Sequence, residues 1–319
     1  MITSITALRQ RVLALLGGIS MYRLVLFALL ALGLIAVVLS ALGVIVSPTP
    51  LEITASFVVL ALVISLVDAA AQRILRLPWR IESSLVTALI LLFVLRPGIE
   101  PNALLGLAIA GVVASLSKYL IVWRGRHVLN PAAFGAAVVS ILGSFGAFEW
   151  LGTSSSWWVG TPSLFVPVLI LGLVVLWRTE KVRVVVVFLI VAIAVAMLRQ
   201  AVQAQEFSIA FDPGAALSFA ILQSPFLFLG AFMLSEPLTL PPRRWQQFSV
   251  AVLVGALAGW PIAIGGLFTL GQERALLIGN LLAFAFALRG SVRLVLEKRQ
   301  FITPTAQAVS YTHLRAHET

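Results

Sequence analysis

From Leu24 to Val46 the chain runs without a single charged side chain. As an α-helix this stretch rises about 35 Å, enough to cross a hydrocarbon core about 30 Å thick. Comparable apolar runs recur to the end of the sequence, near 51–71, 81–95, 101–122, 128–148, 161–177, 183–198, 214–234, 246–270 and 275–295. A bilayer offers no water to backbone N–H and C=O groups, so only helices and closed barrels span it. The runs are continuous rather than alternating, which excludes a barrel. With 61% hydrophobic and only 11% charged residues, no soluble fold accounts for the chain. The expected class is an all-α polytopic membrane protein of about ten transmembrane helices, lying in the cytoplasmic (inner) membrane of a prokaryote.

The basic residues set the expected orientation. With the N-terminus in the cytoplasm, Arg9, Arg11, Arg23, Arg73, Arg76, Arg80, Lys118, Arg124, Arg126, Arg178, Lys181, Arg183, Arg243 and Arg244 fall inside, and so does the group from Arg289 to Arg299. Only Arg96, Arg199 and Arg274 fall outside, where Glu52, Glu100, Glu149, Glu206, Asp212 and Glu273 also lie. A miscounted span would scramble this alternation, so both termini are expected to be cytoplasmic. The net charge of +10 is thus a topology signal, and no nucleic-acid partner is implied.

Two interruptions stand out. In Ser117–Val139 a basic knot (Arg124, Arg126, His127) leads into Asn130-Pro131. Asn is a strong N-cap and Pro suits the first helical position, so a helix starts here. Its apolar run ends near Phe148, weakened by Gly143 and Gly146. Some 14 to 18 residues rise about 21 to 27 Å, short of the core. A short helix with its positive end directed inward is a means of holding an anionic group or cofactor; an ordinary span with Asn-Pro in its loop also accounts for these residues. The second interruption, Phe232–Pro242, sets Ser235 and Glu236 before Pro237. Matched breaks in two halves point to a repeat architecture around a central site.

What is missing matters as well. The chain has no cysteine, so disulfides, thiolate metal sites and iron–sulfur ligation are unavailable. His127 is the one histidine of the membrane part, which rules out a haem with two His ligands. Electron transfer would need an organic cofactor or a partner's metal.

Ser117-Lys118, Asn130-Pro131-Ala132 and Phe232-Met-Leu-Ser-Glu-Pro-Leu-Thr239 occur in this order on a many-span chain. The pattern resembles the membrane flavoprotein family that contains the D subunit of Rnf electron-transport complexes and the B subunit of the sodium-pumping NADH:quinone reductase. The resemblance covers about residues 20 to 296. It implies two inverted five-helix repeats, as in urea-channel-like folds, with broken helices near Asn130-Pro131 and Glu236-Pro237. It also implies FMN or riboflavin between the repeats, held by Lys118, Asn130, Pro131, Ser235, Glu236 and Thr239. The family carries FMN on a threonine in a Ser-Gly-Ala-Thr-Pro context; the counterpart here is Thr161 in Trp157-Trp158-Val159-Gly160-Thr161-Pro162, where Gly160 and Val159 depart from the motif. Thr161 also suits a plain N-cap before Pro162.

Other residues have more than one reading. Glu236 suits flavin hydroxyls or a ring N–H, a cation path, an N-cap, or a surface pair with Arg243 or Arg244. Asp68 suits snorkelling to the interface or a pair with Arg73. Trp123, Trp150, Trp157, Trp158, Trp177 and Trp245 stand at span ends, where an interfacial belt is expected; an aromatic beside Thr161 also suits stacking on an isoalloxazine. Residues 1–20 read as an interfacial segment and 21–296 as the membrane domain. Residues 297–309 read as a cytoplasmic exit, either a basic tail or the start of an FAD- and NAD(P)H-binding reductase domain. Residues 310–319 read as a non-native tail. The expected function is a flavin-binding electron-transfer subunit, partnered by other subunits or a reductase and by quinone. The alternatives are a channel or transporter of small polar solutes and a flavin-free membrane anchor.

Overall fold

The computed structural model describes residues 20–145, 148, 151, 154–264 and 268–289. The interfacial segment 1–19 and the stretches 297–309 and 310–319 lie outside the described residues. The described residues are mostly helical, with five helices long and apolar enough to cross a membrane, and six if one bent pair counts as a single span.

The first half comprises α1 (Met21–Ala41), α2 (Pro50–Ile74), α3 (Ile81–Val94), α4 (Pro101–Leu120) and α5 (Pro131–Leu142). Local chemistry sets the starts. Thr49 and Glu52 form a reciprocal capping box at α2, and Asn130 accepts from the Ala133 N–H at α5 (3.0 Å). Between α4 and α5 a two-stranded hairpin pairs Val122 with His127 and Trp123 with Arg126. Its turn residues Arg124 and Gly125 both have positive φ (52° and 75°), a conformation Gly adopts freely.

The second half comprises α6 (Pro162–Thr179), α7 (Val182–Glu206), α8 (Pro213–Leu222), α9 (Phe226–Leu234), α10 (Arg244–Gly259) and α11 (residues 272–289). The apolar run 214–234 is thus bent by 45° between α8 and α9, where Gln223-Ser224-Pro225 breaks the hydrogen-bond ladder. The run 246–270 is also divided. Its helix stops at Gly259, and after Trp260-Pro261 a hairpin pairs Ile262–Ile264 with Phe268–Leu270. Apolar sequence alone does not separate these two backbone states, and Pro261 decides the boundary.

α3 and α9 run through the centre of the molecule. α3 is buried from Thr87 through Leu95, and in α9 Phe226 and Phe228 to Leu234 are buried. α2 and α4 pack on α3 and on each other; α7 packs on α9 and α10; α1 lies against α6 across the two halves. Two glycines permit close helix approach. A Cβ on Gly135 of α5 would meet the Ala110 carbonyl oxygen at 2.5 Å and the Ala114 Cβ at 2.9 Å. One on Gly279 of α11 would meet side-chain carbons of Val254 at 2.3 Å and Val250 at 3.3 Å. The outer helices turn large apolar side chains outward, Leu34, Leu66 and Ile190 each being more than half exposed. Such a surface suits lipid, and the chain is a multi-pass membrane protein.

Trp157 and Trp158 are a correction to the interfacial belt. Both are buried: Trp157 Nε1 donates to Glu273 Oε2 (3.0 Å) and Trp158 Nε1 to the Leu92 carbonyl (2.6 Å). Buried indoles need an acceptor, and each has one.

Candidate functional site

The hairpin that follows α4 returns the chain to the start of α5 and sets His127 beside the end of α9. There Glu236 receives two partners from the first half. Its Oε1 lies 2.9 Å from His127 Nε2, and its Oε2 accepts from Asn130 Nδ2 at 3.0 Å. Asn130 is buried, and each of its groups is engaged: its backbone N–H donates to Asn280 Oδ1 of α11 (2.8 Å), while its own Oδ1 caps α5. One asparagine therefore ties α5, α9 and α11 together. The pairing of Glu236 with His127 and Asn130 replaces the surface pair with Arg243 or Arg244.

Glu236, His127 and Asn130 border a cavity between the halves, together with Lys118, Ser235 and Pro131. Its walls are apolar, formed by Val86, Ile90, Val175 and Phe232. This inner slot is narrow, about 60 Å³. It adjoins a vestibule of about 550 Å³ into which Arg80, Arg126, Tyr119, Lys118 and His127 project.

Behind Lys118 lies a closed polar knot. Lys118 Nζ is 2.8 Å from Asp68 Oδ2, with side-chain exposures of 8% and 2%. Ser84 Oγ donates to Asp68 Oδ2 (2.6 Å), and Ser115 Oγ donates to Oδ1. A buried carboxylate survives only when paired and hydrogen-bonded, and Asp68 is both. Its partner is Lys118, fifty positions away, rather than Arg73.

Of the residues picked out in the sequence, Lys118, Asn130, Pro131, Ser235 and Glu236 line one cavity. No characterised protein and no protein-family model matches the chain. Its function must be argued from the site itself. Thr239 is buried next to that cavity, its hydroxyl donating to the Glu236 carbonyl (3.3 Å). Thr161 stands apart. It precedes α6, whereas Thr179 at the other end of that helix lines the cavity, a separation of about 27 Å along the axis. The Thr161 hydroxyl caps nothing and is buried without a hydrogen-bond partner. Gly160 beside it is required by space, since a Cβ there would lie 3.0 Å from the Pro225 nitrogen. Sequence reasoning passed over His127 and Asn280 as site residues. The hint was available for His127, an isolated imidazole in a basic loop next to a helix start.

From Phe232 the aromatic contacts continue inward. Phe232 meets Phe228 (ring centroids 5.1 Å apart), Phe228 meets Phe93 (5.4 Å), and Phe93 meets Trp158 (5.3 Å). These rings fill the seam between the halves.

Proposed function

We propose that the chain is a flavin-binding electron-transfer subunit of a membrane redox system, built from two inverted repeats and crossing the inner membrane about ten times. The carrying observation is the pair of adjoining cavities: an acceptor (Glu236) and donors (Lys118, His127) line the inner slot together with apolar side chains, and Lys118 and His127 also line the vestibule, where Arg126 joins them. A flavin has this division: an apolar ring face and an edge of alternating acceptors and N–H donors. Bound there, it would supply one- and two-electron chemistry. The inner slot is too small for three fused rings, but the vestibule of about 550 Å³ has the room. Arg80 and Arg126 bring cationic charge there, which suits a phosphate such as that of FMN. Glu236 and Asn130 would orient the ring edge, and Lys118, held by Asp68, would keep a positive charge beside it. The burial of Thr161 Oγ1 favours a non-covalently held flavin.

The repeat reading rests on paired features. α2 and α7 have 25 residues each. Arg96-Pro97 follows α3 as Glu236-Pro237 follows α9, with a further Pro four residues on in both (Pro101, Pro241). Hairpins follow both α4 and α10. Gly135 lies against Ala110 and Ala114, and Gly279 against Val250 and Val254; the contacted residues Ala110 and Val250, and Ala114 and Val254, are equally spaced from Pro97 and Pro237. The filled seam between the halves speaks against an open conduit for polar solutes.

Absorption of the protein purified from a flavin-replete host tests the proposal. A band near about 450 nm, reduced in Glu236→Gln and in Lys118→Met, is expected. Colourless protein that also fails to take up added FMN or riboflavin would overturn it.

A further inference from the structure

The second half contains a cavity of its own, of about 180 Å³, where α7, the α8–α9 break, the end of α10 and the start of α11 meet. Its polar lining is Arg199, Gln200, Gln223, Ser224 and Gln272, rich in N–H and O–H donors and without a carboxylate. Phe219 and Phe226 supply apolar wall. The Arg199 Nε is buried and has no hydrogen-bond partner, and among the described residues no carboxylate pairs with this guanidinium. A cation in a sheltered, donor-rich cavity lacks its counter-charge.

Comparison with the first half identifies what that charge is. Gln200 holds the same position in its 25-residue helix as Asp68 does. Ser224 lies as far before Pro237 as Ser84 lies before Pro97, and Ala258 as far after Pro237 as Lys118 after Pro97. In the first half this place is filled from within, by the Asp68 carboxylate held by Ser84 and Lys118. In the second half the equivalent serine remains, the lysine is reduced to alanine, and an arginine stands one position before Gln200. The carboxylate is absent, and the second serine is too, since Gly255 stands as far after Pro237 as Ser115 after Pro97; a cavity occupies the vacated volume and Arg199 supplies the remaining charge.

We infer that this cavity binds a small monocarboxylate anion, with Arg199 as its counter-ion and Ser224 and the amides as donors. The volume equals the share of about six waters, room for a carboxylate and a short alkyl chain against Phe219 and Phe226. The inference rests on the repeat reading for the ligand's chemistry, and not on flavin binding.

The test is titration calorimetry of the full chain in detergent with acetate and with butyrate, against chloride at equal ionic strength. Saturable carboxylate binding is expected, weakened about tenfold to a hundredfold in Arg199→Ala and less in Arg199→Lys, which keeps the charge should the alanine variant not fold. Gln200→Asp, which restores an internal carboxylate, is expected to abolish binding and to raise the unfolding temperature. No saturable binding to the parent protein, equal affinity for chloride, or an affinity indifferent to both Arg199 substitutions would overturn the proposal. Flavin content, read on the same samples by absorption, reports separately on the redox reading.

Discussion

Two interior carboxylates, the buried Asp68 and the half-buried Glu236, are stabilised in opposite ways. Asp68 is enclosed: a lysine and two serines occupy both of its oxygens, and 2% of its side chain is exposed. Glu236 faces a cavity, 20% exposed, and its partners are an imidazole and an amide. The charge of Asp68 is answered permanently, whereas that of Glu236 is answered only in part and is left open to whatever enters the cavity. An acid that is fully answered holds the fold together, while one only partly answered is free to serve a ligand.

The largest effect should come from Asp68. Replacing it by Ala leaves Lys118 as an uncompensated buried charge, a loss of about 3–5 kcal/mol. Asp68→Leu with Lys118→Met removes both charges and should recover most of that loss in a denaturant titration in micelles. A double variant as unstable as the single one would mean that the pair matters through packing rather than charge.

Next come the glycines at the two helix crossings. Gly135→Ala should cost about 1–3 kcal/mol, because the obstructing atom is the Ala110 backbone oxygen. Gly279→Ala should cost less, since the Val254 side chain in its way can rotate. The reverse order would show that the α10–α11 crossing is the more rigid of the two.

A smaller effect is expected at the open acid. His127→Ala should change stability by less than about 1 kcal/mol, since the pair is part-exposed, while lowering flavin occupancy. Large destabilisation with undiminished flavin would erase the contrast between the two carboxylates. Smallest of all, Thr161→Val removes a buried hydroxyl without a partner and should be neutral or stabilising by up to about 1 kcal/mol in the same assay.

Much of this was legible in the residues. Apolar runs bounded by arginines located the long helices, and Asn130-Pro131 announced the start of α5. The motif around Glu236-Pro237 picked out a residue that lines the cavity. The partners were hidden, because sequence separation conceals contact. Nothing local to Asp68 reveals Lys118, and nothing local to Glu236 reveals His127, more than a hundred positions away. The division of 246–270 was missed because Ile, Ala, Phe and Leu suit a strand as well as a helix. Trp157 and Trp158 were misjudged because indole at a span end is common at an interface, and only their buried acceptors distinguish a core role.

The shortness of α5 bears on how such a chain is made. Its 12 residues rise about 18 Å, so it cannot hold a position across a bilayer by hydrophobicity alone. What retains it is the surface of α4, entered through Gly135, together with the hold of Asn130 on Asn280. The α4 surface is in place by the time α5 leaves the ribosome, but α11 is not: Asn280 lies 150 positions downstream. Until α11 has emerged, α5 rests on α4 with its Asn130 end unfastened. The first half is therefore inserted as a provisional assembly, and α11, made much later, is the helix that locks it.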